Sequence, residues 1–186
     1  FPQRLSFKRS LLDVLNDKLK VCEAANACGV RAPKTLAVSD VSQLEAAIKD
    51  IGFPAIAKLR NDIGTYLAPK ERYVVLRSDA DLRAAQALLG HGEALVQEYV
   101  EGQGAGVGLL LDAQGEIKAR VAYRRVREYP ISGGPSTLAE TIGDPSLIDA
   151  AYVIARQCGA INGVVHVEFK LTQDGPCVME INPRLW

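Results

Sequence analysis

Two glutamates and an asparagine near the C-terminal end of this 186-residue chain are spaced so that they can meet on one face of a strand pair. Residues 164–171 alternate apolar and polar side chains, and residues 177–182 do so again. This period-2 pattern predicts two half-buried strands. Glu168 falls on the polar face of the first strand, and Glu180 and Asn182 fall on the polar face of the second.

The segment between the two strands, Gln173-Asp174-Gly175, suits a three-residue hairpin loop with glycine in the left-handed region. In that register Glu168 lies directly opposite Glu180. A two-residue Asp-Gly loop would place the two glutamates on opposite faces, because a slip of one residue reverses every side chain. The three-residue loop is favoured because it sends three apolar residues of the second strand to the same side as those of the first: Cys177, Met179 and Ile181.

Opposed carboxylates of this kind repel each other and need a compensating charge. Their Cβ atoms lie about 5 Å apart, and at an effective dielectric constant near 20 the repulsion is about 3 kcal/mol. A hard dication offsets it, and Asn182 adds a third oxygen donor of the kind that Mg²⁺ accepts beside phosphate oxygens. Arg184, in Asn-Pro-Arg, adds a planar cation that suits a phosphate or a carboxylate. The alternative is a solvated hairpin face with Lys170 as the counter-ion.

This C-terminal pattern resembles a known family signature. Glu168, followed by Met-Glu-Ile-Asn-Pro-Arg at 179–184, resembles the end of the ATP-grasp superfamily, whose members include biotin carboxylase, the large chain of carbamoyl phosphate synthetase and D-alanine–D-alanine ligase. The resemblance implies that Glu168, Glu180 and Asn182 bind metal ions on ATP, with Mg²⁺ as the ion and Mn²⁺ as the alternative. It also implies that Arg184 acts at the phosphoryl-transfer site.

Two lysines earlier in the chain fit the same resemblance. Asp17-Lys18 opens a predicted helix that runs to about Cys28, and in relatives an Asp-Lys pair here directs its lysine to the nucleotide phosphates. Gly-Phe-Pro-Ala-Ile-Ala-Lys, ending at Lys58, resembles the superfamily strand whose lysine reaches the α- and β-phosphates. The alternatives are a solvated helix lysine for Lys18 and a charge at a strand edge for Lys58.

Residues 96–102, Val-Gln-Glu-Tyr-Val-Glu-Gly, resemble the hinge between the two superfamily subdomains, where main-chain groups bind adenine. By position, Gln97 would approach the exocyclic amine. The backbone of Glu98 and Val100 would make the edge contacts. An ordinary strand end is the alternative.

A predicted strand at 117–127 carries four arginines, more charge than a solvated strand needs. Even and odd positions face opposite ways. Therefore Arg120 with Arg124, or Arg125 with Arg127, can face a cleft, but not all four. In biotin carboxylase and its relatives a basic residue near here faces the γ-phosphate and the acyl-phosphate, which implies Arg124, with Arg125 as the second choice.

Two loops are interpreted by the same resemblance. Most relatives cover the phosphates with the backbone of a glycine-rich loop, whereas residues 61–66 contain one glycine, so phosphate capture by a flexible lid is in question here. Residues 131–137, Ile-Ser-Gly-Gly-Pro-Ser-Thr, are similar to a loop near the acceptor site of some ligases. A crossover turn is the alternative for this second loop.

The composition bounds the class of protein. A hydrophobic content of 48% can fill a core, and 22 basic residues balance 22 acidic ones, so no nucleic-acid or anionic-membrane partner is indicated. No apolar run reaches the length of a membrane span, and no signal peptide precedes Phe1, so we expect a cytoplasmic protein. The 4 cysteines have no metal-like spacing and are expected to be reduced thiols.

We therefore predict an α+β chain with the ATP-grasp fold, in which two subdomains with mostly antiparallel sheets clasp the nucleotide. Residues 1–32 would be a helical lead-in packed on the C-terminal subdomain, 33–97 the N-terminal subdomain and 98–186 the C-terminal subdomain with the metal and phosphate site. The abrupt ends of the chain are interpreted as those of a fragment without the α/β domain that usually comes first.

The predicted activity is ATP-dependent ligation, in which a carboxylate becomes an acyl-phosphate and an amine or similar nucleophile displaces phosphate. The partners would be small-molecule substrates, with the oligomeric state open. The competing interpretations are a nucleotide-binding module without turnover and a structural interaction domain with an ion-paired hairpin.

Overall fold

The computed structural model describes residues 7–61, 67–68, 71–129 and 136–185. Within these ranges the chain is α+β, and its strands form two antiparallel sheets, as predicted. The strands are β1 (Thr35–Val38), β2 (Ala55–Leu59), β3 (Tyr73–Leu76), β4 (Ala94–Glu98), β5 (Gln103–Leu111), β6 (Ile117–Glu128), β7 (Ser136–Thr141), β8 (Gly163–Thr172) and β9 (Gly175–Asn182). The helices are α1 (Arg9–Leu15), α2 (Lys18–Ala27), α3 (Val41–Ile51), α4 (Leu82–Leu89) and α5 (Pro145–Gln157), with a short 3-10 turn at Asp79–Asp81.

Helices α2, α3 and α5 begin where the sequence supplies a capping carboxylate. Asp17 accepts hydrogen bonds from the backbone of Leu19 and Lys20, and Asp40 accepts one from Gln43. Asp144 caps α5 with Pro at its first position. These carboxylates satisfy backbone N–H groups that have no partner inside the helix. None of the helices in the described ranges is long and apolar enough to cross a membrane.

The first sheet has the strand order β1-β4-β2-β3 and carries α3 and α4 on one face. Alternate residues of β2, Ala55, Ala57 and Leu59, are buried against these helices, whereas Ile56 and Lys58 lie on the other face. The apolar stripes of the two helices complete this core through Leu44, Ala47, Ile48, Ala85 and Leu88.

The second sheet has the order β7-β6-β5-β8-β9, and α2 and α5 contact it. The odd positions of β5 and β8 pack on the helices, which leaves the even positions for the opposite face. The core includes Ala105, Val107, Leu109, Leu111, Val165, Val167, Phe169, Leu147, Ala151 and Ile154.

The N-terminal helices share this second core. Leu15, Val21, Ala25 and Val30 are buried in the same cluster as the residues of β5 and β8. Arg31 then joins the hairpin, because its guanidinium donates to Thr172 Oγ1 at 2.8 Å and its carbonyl accepts from the backbone of Val178 at 2.9 Å. Residues 7–31 therefore pack on the second sheet before the chain enters the first.

The β8–β9 hairpin keeps the predicted pairing of Glu168 with Glu180 but reaches it differently. Thr172 pairs with Gly175, so the loop has two residues rather than three, and a β-bulge between Glu168 and Phe169 shifts the register by one. A bulge places two residues of one strand against one of the other. It therefore restores the glutamate pairing that the shorter loop alone would have lost.

The bulge also reverses the predicted facing of Cys177. Cys177 pairs with Lys170 and lies outside the helix-side core, whereas Val178 pairs with Phe169 inside it. The predicted side for Cys177 was wrong, because the pattern assumed an uninterrupted strand, although the side chain is buried at 0% exposure. A second correction concerns residues 136 and 137, which were expected in a loop and belong to β7.

Candidate active site

The face of the second sheet that turns away from the helices carries a dense set of polar side chains. In this register Gly106 of β5 pairs with Tyr123 on one side and with Glu168 on the other. Residues paired across antiparallel strands project to the same face. The face therefore presents residues from four neighbouring strands: Gly104, Gly106, Tyr123, Arg125, His166, Glu168, Glu180 and Asn182.

Glu168, Glu180 and Asn182 come together on this face as the sequence predicted. Glu168 pairs directly with Glu180, and Asn182 Nδ2 donates a hydrogen bond to Glu168 Oε1 at 3.1 Å. Asn182 is 9% exposed, and its Oδ1 accepts from Arg184 Nη2 at 3.4 Å. Two carboxylates and an amide oxygen suit Mg²⁺ that shares its coordination with phosphate oxygens.

These donors are nevertheless few. Among the residues that the structure describes, no three His, Cys, Asp or Glu side chains form a cluster that could hold a metal ion alone. The arrangement thus fits an ion that brings further ligands with it, as an ion bound to nucleotide phosphates does.

Arg125 lies in this site, and Arg124 does not. Arg125 forms an ion pair through Nη2 with Glu168 Oε2, and a second ion pair with Glu128 at 3.3 Å. Arg124 points to the other face of β6, where it pairs with Glu140 of the edge strand β7. The sequence placed Arg124 first and Arg125 second, whereas the geometry brings only the second beside the glutamates. The counter-ion of Glu168 is therefore Arg125 rather than Lys170.

The environment of Arg125 keeps it charged. Burial acts to lower the pKa of its guanidinium, but Glu168 and Glu128 outweigh that effect and raise the pKa. Its side chain is 15% exposed. A fixed positive charge in a partly dehydrated site interacts strongly with a developing negative charge.

The sequence missed Tyr123 and His166, which form a buried pair beside Glu168. The Tyr123 hydroxyl and His166 Nε2 are 2.8 Å apart, and the two rings are stacked with an interplanar angle of 13°. Burial lowers the pKa of His166, although the Glu168 charge opposes this, and burial raises the pKa of Tyr123. Both groups are therefore neutral at pH 7. The signal in the sequence was a histidine two residues before Glu168, on the same predicted strand face.

Lys58 and Gln97 lie on one face of the first sheet, the face that turns away from α3 and α4. Gln97 pairs with Ile56, two residues before Lys58, and is 1% exposed. Its Nε2 donates to Thr35 Oγ1 at 2.8 Å. Gln97 Nε2 also donates to Cys22 Sγ at 3.6 Å, so α2 borders this face. Gln97 Oε1 is a buried acceptor without a hydrogen-bond partner in the described part of the chain.

Lys18 is the first residue of α2 and follows a firmly held cap. Arg60, just after β2, donates to both carboxylate oxygens of Asp17, with Nη2 to Oδ2 at 2.8 Å, and pairs with Glu93 at 2.7 Å. Burial acts to raise the Asp17 pKa, but the hydrogen bonds from Arg60 and the backbone outweigh it and lower that pKa. The start of α2 is thereby fixed to the first sheet.

Glu98 and Val100, which the sequence predicted to lie in a hinge, are held by contacts within the protein. The Glu98 backbone N–H donates to Lys34 O at 2.9 Å, so it is engaged within the protein. The Glu98 side chain accepts from the Lys34 backbone at 3.2 Å and lies 3.7 Å from Arg31 Nη2. Val100 is 8% exposed at the connection between β4 and β5. Two loops singled out in the sequence lie mostly outside the described residues, at 62–66 and 131–135.

The chain is similar to known proteins in both sequence and fold. A family model described as "ATP-grasp in the biosynthetic pathway with Ter operon" matches residues 91–186. Carnosine synthase 1 of Gallus gallus is 31% identical over 157 residues, which cover 73% of this chain and 16% of that protein. The chain thus spans about a sixth of the length of this relative.

Two solved structures show the same fold. An ADP complex of N5-carboxyaminoimidazole ribonucleotide synthetase (PurK) has a TM-score of 0.77 and 22% identity, covering 95% of this chain and 46% of that one. Biotin carboxylase from Campylobacter jejuni has a TM-score of 0.76 and 18% identity, covering 95% of this chain and 42% of that one.

Proposed function

This chain belongs to the ATP-grasp superfamily, and from that premise we propose that it binds Mg-ATP and activates a small-molecule carboxylate as an acyl-phosphate for attack by an amine or similar nucleophile. The observation that carries the proposal is the convergence of Glu168, Glu180, Asn182 and Arg125 on one sheet face. The match to a synthase supports bond formation.

We assign each side of the cleft a part in nucleotide binding. Lys18 and Lys58 would neutralise the phosphates from the N-terminal side, and Gln97 with the backbone near Glu98 and Val100 would contact adenine. In this division residues 33–97 form the N-terminal subdomain and residues 98–186 the C-terminal one. Residues 1–32 form the lead-in.

Glu168, Glu180 and Asn182 would hold the divalent ion, which when bound withdraws charge from the β- and γ-phosphates. Arg125 and Arg184 would then stabilise the phosphoryl group as a substrate carboxylate oxygen attacks the γ-phosphorus in line and ADP leaves. The amine nitrogen subsequently attacks the acyl carbon, phosphate departs with the electron pair of the broken C–O bond, and the proton lost by the nitrogen passes to the departing phosphate or to water.

The test compares Glu180→Gln with Glu140→Gln. Glu180 lies opposite Glu168 in the site, whereas Glu140 lies on the edge strand beside Arg124. Glu180→Gln is expected to weaken Mg-ATP binding about tenfold or more, because a ligand charge is lost, and Glu140→Gln to leave it unchanged. Isothermal titration and ADP release on addition of amino acids measure the two effects. Unchanged binding and ADP release in Glu180→Gln would contradict the metal assignment.

The second candidate is a nucleotide-binding module without turnover. It is favoured by the single glycine of residues 61–66, where most members of the superfamily have a glycine-rich loop. This alternative predicts thermal stabilisation by Mg-ATP with no ADP release for any carboxylate tested. Screening amino acids and other small carboxylates for ADP formation separates the two functions.

A further inference from the structure

We propose that His166, held by Tyr123, is a positioning residue that orients Glu168 for the divalent ion, an inference that rests on the proposed function because it takes Glu168 as a metal ligand. His166 and Glu168 are two residues apart on β8, and both project from the cleft face. His166 is 2% exposed, and its Nδ1 lies 3.8 Å from Glu168 Oε1. A small rotation of the glutamate side chain brings these two atoms within hydrogen-bonding distance.

The carboxylate of Glu168 favours a proton on the histidine nitrogen that faces it. His166 Nδ1 lies 3.8 Å from Glu168 Oε1, and an N–H directed at a carboxylate is attracted to it, whereas a nitrogen lone pair is repelled. With the proton on Nδ1, Nε2 is an acceptor. The Tyr123 hydroxyl, 2.8 Å from Nε2, then donates to it and holds the ring in this tautomer.

Gly106 provides the room for this arrangement. A Cβ atom at Gly106 would lie 2.6 Å from the Tyr123 hydroxyl and 2.7 Å from His166 Nε2. Gly106 stands between Tyr123 and Glu168 in the sheet. The absence of a side chain here is what allows the tyrosine of β6 to cross β5 and reach the histidine of β8.

The ion itself creates the need for a second donor to Glu168. Asn182 donates from Nδ2 to Glu168 Oε1 at 3.1 Å, but an asparagine ligates a hard cation through its amide oxygen. Turning Oδ1 to the ion withdraws Nδ2 from Glu168. His166 Nδ1–H faces that same oxygen and takes over the hydrogen bond, which holds the carboxylate so that Oε2, already paired with Arg125, can also face the ion.

The first test reads the histidine tautomer by ¹⁵N NMR of the unmodified chain. The sequence has 2 histidines, and His91→Asn assigns the remaining signals to His166. We expect a protonated Nδ1 and an unprotonated Nε2, and a transfer of the proton to Nε2 in Tyr123→Phe. A wild-type His166 with its proton on Nε2 would overturn the inference without any variant having to fold.

The second test measures Mn²⁺ affinity in the presence of ADP by electron paramagnetic resonance of free Mn²⁺. His166→Leu removes the donor and is expected to weaken binding by about 10- to 100-fold. His166→Asn places an amide N–H near the position of Nδ1 and is expected to restore most of the affinity. His91→Asn, in an exposed turn outside the site, is the matched control and should bind as the wild type does.

The outcomes distinguish this inference from the function on which it rests. Wild-type chain that binds no Mn²⁺ with ADP would overturn the metal assignment, and the inference with it. Wild-type binding that is unchanged in His166→Leu, at an equal melting temperature, would overturn the inference alone. Loss of Mn²⁺ affinity in His166→Leu with recovery in His166→Asn supports a positioning role. A purely structural role would not depend on whether the side chain carries an N–H donor.

Discussion

At the scale of single residues, neighbours in the sequence differ sharply in what they can do. Arg124 and Arg125 have the same chemistry, yet the pleat sends the first to Glu140 and the second to Glu168. Arg125 is 15% exposed and Arg124 is 47% exposed, so the site arginine also acts in a drier environment. Which of the two arginines lies beside Glu168 therefore depends on whether its position along β6 is odd or even.

Substitution of each arginine in turn tests whether Arg125, and not Arg124, acts in the site. Arg125→Met is expected to slow carboxylate-dependent ADP release by about 100- to 1000-fold, the loss typical when one preorganised donor is removed from a developing charge. Arg124→Met should leave the rate near that of the wild type, since its ion pair lies on the opposite face. Steady-state ADP assays measure both. Equal losses in the two variants would contradict the assignment of Arg125.

Substitution of Gly106, compared with substitution of Gly143, tests the packing around Tyr123 and His166. Gly106→Ala is expected to lower the free energy of unfolding by about 1–3 kcal/mol, because the added methyl overlaps the Tyr123 hydroxyl and the His166 ring. Gly143→Ala is the matched control, since a Cβ there meets nothing within 4 Å. Urea denaturation of both variants gives the comparison. A Gly106→Ala variant as stable as Gly143→Ala would show that the pair tolerates displacement.

At the scale of elements, the β8–β9 hairpin shows which structural features a sequence pattern predicts and which it leaves undetermined. The alternation of Val165, Val167 and Phe169 predicted β8 and its facing, because those residues pack on the helices as the period-2 rule requires. The pairing of the two glutamates was also predicted. The loop length was not, since a three-residue loop and a two-residue loop followed by a bulge leave the same number of residues between Glu168 and Glu180.

The remaining site features depend on contacts between distant strands, which no local pattern encodes. The choice between Arg124 and Arg125 required the position of β5 between β6 and β8. The Tyr123–His166 pair joins residues 43 positions apart and requires a glycine on a third strand. In contrast, the start of α2 at Asp17-Lys18 was predicted, because the cap and its N–H partners are only two or three residues apart.

The cap of α2 gives a prediction at the element scale. Asp17→Asn retains a capping side chain but loses the charge paired with Arg60, so the free energy of unfolding at pH 7 should fall by about 1–2 kcal/mol. The matched control is Asp144→Asn, in a cap that bonds Ser146 and Leu147, and it should remain within about 0.5 kcal/mol. Urea denaturation measures both variants.

The ion pair of Asp17 with Arg60 also predicts how the free energy of unfolding changes with pH. The folded-state pKa of Asp17 is lowered, so its contribution to stability is complete above the unfolded-state pKa of about 3.9 and is lost as the pH falls through the lower folded-state value. Asp17→Asn should therefore lose less stability than the wild type on acidification below pH 4 or so. Parallel acid titrations monitored by circular dichroism would contradict this if the two slopes agree.

At the scale of the whole molecule, the described residues form two cores that belong to different sheets. One includes Leu44, Leu76 and Leu88, and the other includes Leu109 and Leu147. Helices α3 and α4 pack on the first sheet and α5 on the second, whereas α2 is buried in the second core and also contacts β1. The polar faces carry the candidate site. The two cores should therefore respond separately to damage.

Core truncation tests that separation. Leu76→Ala, at 0% exposure, and Leu109→Ala, at 1%, should each cost about 2–5 kcal/mol. Hydrogen–deuterium exchange should rise mainly in β1–β4 for the first variant and mainly in β5, β6 and β8 for the second, because local opening follows cooperative units. Uniform acceleration across both sheets in either variant would show a single cooperative unit instead.

The chain passes between the two sheets at two places, and these lie side by side. Thr35 enters β1 directly opposite Gln97 near the end of β4, and the Lys34 carbonyl accepts from the Glu98 N–H. A further connection is the ion pair between Arg60, which follows β2, and Asp17, which begins α2, because α2 is buried in the core of the second sheet. Any relative movement of the two sheets about the crossing must therefore either keep the Asp17–Arg60 pair or break it.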